Sequence, residues 1–213
     1  MKVIIPTHDK FQHLVEPHSV LFSRYCTGHD LVYAKQSGPP QTWAQSLRAV
    51  VESLDEDYIL LIMEDVMLMS PVDQDDLNLL IEKVATGGAS KALLDSHLNG
   101  ETYPHVDLRF LELSQKSKNR TSLHPAIWRR DYLLKFLLPG FSPWAVEATG
   151  GAIAVNDGAL IVSLNSPRDL FYTANVYRKG VPFPRHDCPR PYGTSGHYVN
   201  LDDAEYIRSF IDE

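Results

Sequence analysis

Two cysteines, Cys26 and Cys188, are all that the 213-residue chain contains. Two cannot build a disulfide framework or a zinc ribbon, so two reduced thiols are expected. No apolar run approaches the roughly 20 residues that cross a bilayer. The N-terminal run Met1–Ile5 stops at Pro6, Thr7, His8 and Asp9, too early for the apolar core of a secretory signal, and a cytoplasmic protein is expected. There is no Gly-x-Ser-x-Gly elbow, P-loop, Gly-x-Gly-x-x-Gly fingerprint or His-Glu-x-x-His helix, which argues against the chemistries those motifs carry. Positive charge is also scarce. Residues 1–100 carry 7 Lys/Arg against 14 Asp/Glu, residues 101–213 carry 13 of each, and the net charge is −7. Duplex binding wants a basic face. The only basic concentration is Lys116, Lys118, Arg120, Arg129 and Arg130.

What is present is an alternation of short apolar runs and helical stripes. Lys2–Pro6 reads as a first strand, followed by the polar loop Thr7–Lys10, and Leu31–Ala34 reads as a second strand. After Thr42, the residues Trp43, Leu47, Val50, Val51 and Leu54 fall on one helical face. Tyr58–Met63 is apolar at every position, the mark of a central strand covered on both sides. Pro71 and Asp73 open a helix striped by Leu77, Leu80, Ile81 and Val84. Ala92–Leu94 and Leu108–Leu113 read as strands, Arg130–Leu138 as a helix, and Asp202–Ile211 as a last helix. Asn156-Asp157-Gly158 between Gly151–Val155 and Ala159–Leu164 is a hairpin signal. With no repeat or linker, this pattern predicts one α/β domain with a mixed, mostly parallel central sheet flanked by helices and a strand-rich second lobe. Residues 1–100 would form one half, 101–180 a second, strand-rich half, and 181–213 an irregular tail and helix.

The chemistry concentrates where the apolar strand ends, at Glu64-Asp65. Ionised carboxylates are costly to bury unpaired, so this strand end must meet solvent, a partner or a cation. Oxygen ligands suit Mg²⁺ or Mn²⁺, ions that bridge carboxylates to diphosphate. Adjacent strand residues point to opposite faces. That geometry turns one of the two carboxylates, Glu64 or Asp65, toward an ion and the other away, unless a turn brings both inward.

The segment from Tyr58 through Glu64-Asp65 to Asp73 resembles the central strand and acidic motif of small bacterial and phage GT-A-like glycosyltransferases. Thr42–Arg48 is similar to that family's preceding helix, Ser122–Leu134 to its later strand-to-helix segment, and Ser142-Pro143-Trp144-Ala145-Val146-Glu147 to the Pro-Trp…Glu motif that follows. The likeness runs in order from Lys2 to Lys179. It implies transfer of a sugar from a nucleotide-sugar donor to a hydroxyl, with a divalent cation, Mn²⁺ or Mg²⁺, at Asp65. Glu147 is implied as the base if transfer inverts configuration; a helix-start carboxylate steadied by the macrodipole is its plainer explanation. Thr7, His8 and Asp9 at the end of the first strand would contact the nucleotide, with Trp43 beside them, while Arg48 would reach the diphosphate. Trp128 and Trp144 would stack an acceptor, although core packing explains either as well. His124 would line the acceptor side. His186 and His197 lie in the tail, where some GT-A enzymes place a last metal ligand, and His186 is the candidate. The expected acceptor is a saccharide or related glycoconjugate. Two alternatives stand beside it, a hydroxymethylated base of phage DNA and a non-catalytic nucleotide-sugar-binding protein.

Overall fold

A computed structural model describes residues 1–95, 101–166, 168–178, 181–183, 188–191 and 200–211. The first ninety-five residues alternate strand and helix: β1 (Lys2–His8), α1 (Val15–Tyr25), β2 (Asp30–Gln36), α2 (Trp43–Glu52), β3 (Tyr58–Leu61), β4 (Val66–Leu68), α3 (Gln74–Ala85) and β5 (Lys91–Leu93). Then come β6 (Thr102–Pro104), β7 (Phe110–Leu113), β8 (Ala126–Arg129), α4 (Arg130–Leu134), α5 (Pro143–Ala145), α6 (Gly151–Ala154) and β9 (Ile161–Leu164). Four short strands, β10 (Thr173–Asn175), β11 (Tyr177–Arg178), β12 (Val181–Pro182) and β13 (Arg190–Pro191), precede α7 (Leu201–Ile211).

Eight strands form one sheet in the order β2-β1-β3-β8-β5-β9-β7-β6. The pairings β1–β2, β1–β3 and β5–β9 are parallel. β8 and β7 run against the other strands. The mixed, mostly parallel sheet expected from the sequence is therefore present. β3 shows why an all-apolar run belongs at its centre. Ile59 and Leu61 pack into one core cluster with Trp43, Leu47, Val51 and Tyr132, whereas Leu60 and Ile62 pack into the opposite one with Phe22, Leu77, Leu80 and Val84. Burying each such side chain contributes roughly 1.5–3 kcal/mol, so a polar residue anywhere on β3 would be costly. A three-stranded sheet, β13-β10-β4, lies beside the large one. It shares a third core cluster of Leu14, Leu21, Met67, Met69, Tyr172 and Ile207. Asp203, buried on α7, accepts hydrogen bonds from Arg24 and Tyr25 and ties the last helix to α1.

Three local expectations need correction. The segment after Thr7 is not a simple loop: a 3-10 stretch, Asp9–Leu14, leads into α1. The helix expected over Arg130–Leu138 is regular only over Arg130–Leu134. The hairpin expected around Asn156-Asp157-Gly158 does not form, because its first arm is helix α6, and β9 pairs instead with β5 and β7. Asn156 and Gly158 do turn the chain, with φ of 59° and 76°. Close packing decides the helical arm. A Cβ on Gly151 would sit 2.0 Å from the Lys118 carbonyl oxygen, so this helix lies directly against the 3-10 segment Lys118–Thr121. Asp157 is drawn inward, accepting from Arg120 Nη2 at 2.7 Å and from the Tyr132 hydroxyl at 2.9 Å.

Candidate active site

β1, β2 and β3 are parallel and end at the same edge, where His8 pairs in register with Gln36 and the Ile62 N–H donates to the Ile4 carbonyl at 3.1 Å. In open α/β sheets, ligands gather outside the carboxyl ends of the strands. A cleft of about 790 Å³ opens there, within the ~300–1,000 Å³ typical of ligand sites. In the order of the sheet, His8, Gln36 and Gly38 line it after β1 and β2, Glu64 and Asp65 after β3, and Leu123 and His124 just before β8. Lys10, Thr42, Trp43, Trp144 and Glu147 line it as well. Phe11, Asn175 and Tyr177 also border the cleft.

The acidic pair is delivered by a turn. Regular pairing of β3 stops at Leu61, and the Val66 N–H donates to the Met63 carbonyl at 3.1 Å, closing a turn over Glu64-Asp65. The chain then leaves the large sheet, because β4 pairs with β10, while the Val176 N–H pins the Asp65 carbonyl at 3.0 Å. Both side chains consequently line the cleft; strand alternation would have sent one of them away. Burial pushes the Glu64 carboxyl up to about 8, with the neighbouring Asp65 charge adding to the rise, and burial pushes Asp65 up to about 6. Glu64 Oε2 is buried without a hydrogen-bond partner. Neither carboxylate belongs to an ion pair among the described residues. Two half-buried carboxylates side by side, with no ion-pair partner among the described residues, have oxygen donors of the kind a hard divalent cation takes. No group of three His, Cys, Asp or Glu placed to hold a metal ion occurs among the described residues.

The side of the cleft next to β8 is assembled from β5, β8 and the π-helical turn Val146–Gly150. Glu147 Oε1 accepts the Leu123 N–H at 2.8 Å, and Thr121 Oγ1 donates to the Val146 carbonyl at 2.8 Å. Beneath this segment lies Lys91, fully buried. Its ammonium donates to the Ser122 carbonyl at 2.7 Å and to the Arg120 carbonyl at 3.4 Å, and sits 4.0 Å from the centre of the Trp128 ring. Burial pulls the Lys91 ammonium down to about 7, against the opposing pull of Asp95 and Glu147. His124 Nδ1 lies 2.9 Å from Asp95 Oδ2. Trp144 is 57% exposed, an uncovered ring at the cleft mouth.

The sequence candidates are thus divided. His8, Trp43, Glu64, Asp65, His124, Trp144 and Glu147 share the cleft. His8 Nδ1 accepts the Lys10 N–H, which leaves Nε2 to donate to the Gly38 carbonyl at 2.9 Å and tether the loop. Thr7 is buried, its hydroxyl donating back to the Ile5 carbonyl, and Asp9 is exposed outside the cleft. Arg48 does not face the cleft; it pairs with Glu52 and donates to the Leu134 carbonyl at 2.9 Å, holding α2 to the end of α4. Trp128 is fully buried because β8 is a central strand whose register sets it beside Ile59 in the core, so it is not an acceptor platform. His186 and His197 lie outside the described residues. The basic concentration also disperses. Arg120 is buried against Asp157, Arg129 pairs with Asp131, and Arg130 donates to the Leu54 carbonyl.

No protein-family model matches the sequence, and a search of curated proteins returns no match. Solved structures do resemble it. The A197 protein from STIV superposes with a TM-score of 0.52 at 13% identity, over 83% of this chain and 85% of its own. A mutant of the Drosophila β-1,4-galactosyltransferase 7, solved with manganese, UDP-Gal and xylobiose, gives a TM-score of 0.51 at 15% identity, over 95% of this chain and 82% of its own. The fold is the GT-A-like fold of glycosyltransferases. TarS from S. aureus shares it with a TM-score of 0.52 at 12% identity over 79% of this chain, which spans 35% of TarS. On this GT-A-like frame, Lys10 of the expected binding loop does line the cleft, whereas Gln36 and Tyr177 along it and Asp95 and Lys91 beneath it were not among the sequence candidates. Lys91 carried one visible signal, an ammonium opening the otherwise apolar run Ala92–Leu94. Tyr177 sits on β11, which pairs with β12, and left no local trace.

Proposed function

We propose that the chain transfers a sugar from a nucleotide-sugar donor to a hydroxyl of a saccharide or related glycoconjugate. The observation that carries this reading is the acidic turn Glu64-Asp65, set at the carboxyl ends of three parallel strands in a cleft of ligand size. The nucleotide lies toward His8, Lys10, Gln36 and the Gly38–Thr42 loop. Its diphosphate falls near Lys10 and the acidic turn. Asp65 and Glu64 hold a divalent cation, Mn²⁺ or Mg²⁺, which when bound neutralises charge gathering on the departing diphosphate. The acceptor enters past the exposed Trp144 ring, a suitable stacking face for a sugar, and meets the lip of Leu123, His124 and Glu147. A hydroxyl attacking there must lose its proton to a group on that lip. Dispersal of the 116–130 basic residues favours a saccharide over a DNA acceptor, which would need a continuous positive surface.

Thermal unfolding with a panel of nucleotide sugars, with and without Mn²⁺ or Mg²⁺, tests donor binding. A ligand at about 100 times its Kd stabilises by ~2.7 kcal/mol, or roughly 5–10 °C for a domain of this size. Mass spectrometry of oligosaccharide acceptors then looks for the gain of one sugar. Absence of stabilisation by every donor overturns the reading. Stabilisation without transfer to any acceptor reduces it to nucleotide-sugar binding.

A further inference from the structure

We infer that Asp95 and His124 form the proton-accepting pair of this cleft, with His124 Nε2 as the base and Asp95 as its positioning residue. The inference rests on the transferase reading above and specifies which group takes the acceptor's proton.

The pairing is dictated by the sheet. β5 and β8 are antiparallel with Leu93 opposite Ala126, and the Leu94 N–H donates to the Pro125 carbonyl at 3.1 Å. The same register carried past the strand ends sets Asp95 opposite His124. Directly opposed side chains of an antiparallel pair sit within contact distance, and here His124 Nδ1 lies 2.9 Å from Asp95 Oδ2. The Asp95 side chain is only 6% exposed, whereas His124 is 21% exposed and lines the cleft. An ionised carboxylate can only accept, so the Asp95 contact requires the proton on Nδ1 and makes Nε2 the basic nitrogen. Asp95 thereby fixes the tautomer and ring orientation and stabilises the imidazolium that forms, the logic of a carboxylate-oriented histidine base. The backbone on which His124 rides is held from below by Lys91 through the Ser122 carbonyl at 2.7 Å. Glu147 plays a different part. One of its oxygens is engaged by the Leu123 N–H at 2.8 Å, so it holds the lip one residue from His124. Among the described residues, Lys91 below, Glu147 on the lip, and Glu64 and Asp65 along the cleft are further titratable groups on this side of the molecule.

In the step itself, the acceptor O–H gives its proton to His124 Nε2 while the oxygen lone pair forms a bond to the anomeric carbon. The bond from that carbon to the donor's phosphate oxygen breaks, and its electron pair leaves on the nucleoside diphosphate. Direct displacement inverts the anomeric configuration.

The test combines turnover with a spectroscopic readout that needs no substrate. In ¹⁵N-histidine NMR spectra, neutral His124 should be the Nδ1–H tautomer in the wild type and should lose that preference in Asp95→Asn. With the best donor and acceptor, His124→Gln should lower kcat by about 10²- to 10³-fold. Donor-induced thermal stabilisation should be unchanged. Asp95→Asn should lower kcat by roughly 10²-fold or more and leave acceptor KM nearly unchanged. Two results overturn the inference while leaving the transferase reading intact: an Nε2–H tautomer in the wild type, or a His124→Gln enzyme within threefold of wild-type kcat. Failure of the wild type to transfer any sugar overturns the transferase reading and this catalytic role together, whatever the tautomer.

Discussion

Glu64 and Asp65, half-buried at the end of β3, and Lys91 and Arg120, fully buried behind the segment that carries His124, are ionisable groups that the protein treats in opposite ways. The basic groups are answered internally: Lys91 by two carbonyls and the Trp128 face, Arg120 by Asp157. The acidic groups have no ion-pair partner among the described residues, and Glu64 Oε2 has no hydrogen bond. A buried charge with a built-in partner is a fixed scaffold, whereas one without a partner is a vacancy in the electrostatics that a ligand can fill. The side of the cleft that carries His124 is accordingly preorganised, and the acidic turn is the place where ligand binding should change the protein most.

Breaking the acidic side gives the largest expected effect. Asp65→Asn should reduce transfer by roughly 10²- to 10³-fold and remove any Mn²⁺-dependent part of donor stabilisation, as read by initial rates and thermal unfolding. Breaking the basic side should instead unfold the scaffold more readily. Lys91→Met leaves the Ser122 and Arg120 carbonyls without their donor, at about 1–3 kcal/mol, so the melting temperature should fall by roughly 3–10 °C, measured by calorimetry.

The comparison sharpens with pH. Glu64 and Asp65 have folded values raised to about 8 and about 6, above their ordinary 4.5 and 3.8. A raised folded value means that the stability contribution is complete below the ordinary value and is lost as pH rises through the folded one. Stability from this pair should decline between pH 4 and pH 8. Glu64→Gln should flatten that decline and melt a few degrees higher than wild type at pH 8 but not at pH 4. Added Mn²⁺ should stabilise wild type more at pH 8 than at pH 5. The smallest expected effect is at the exposed rim. Trp144→Ala should change stability by less than about 0.5 kcal/mol while raising acceptor KM roughly 2- to 10-fold through lost stacking, as measured by steady-state kinetics.

Much of the frame was legible in the sequence because it obeys local rules. An all-apolar six-residue run is a buried strand, and the Trp43–Leu54 stripe is a helix, wherever they occur. Asp73 caps α3 by accepting from the Asp75 and Asp76 N–H groups at 3.0 and 3.1 Å. The failures share a different cause. Trp128 and Arg48 carry attractive chemistry, and nothing local says that one lies inside the sheet and the other grips the end of α4. The hairpin signal at Asn156-Asp157-Gly158 was a true turn with the wrong arm, because Gly151 packs on a segment thirty residues earlier in the chain.

The sequence by itself determined the alternating α/β frame, the central strand, and the presence of two carboxylates at its end, since periodicity and apolar length act within a few residues. Only the tertiary structure decided which way those carboxylates face and what stands across from them. The turn at Glu64-Asp65 exists because β4 leaves to pair with β10, more than a hundred residues away. Asp95 meets His124 because β5 and β8 share a register. Both are long-range pairings, and the chemistry of the cleft is set where they converge.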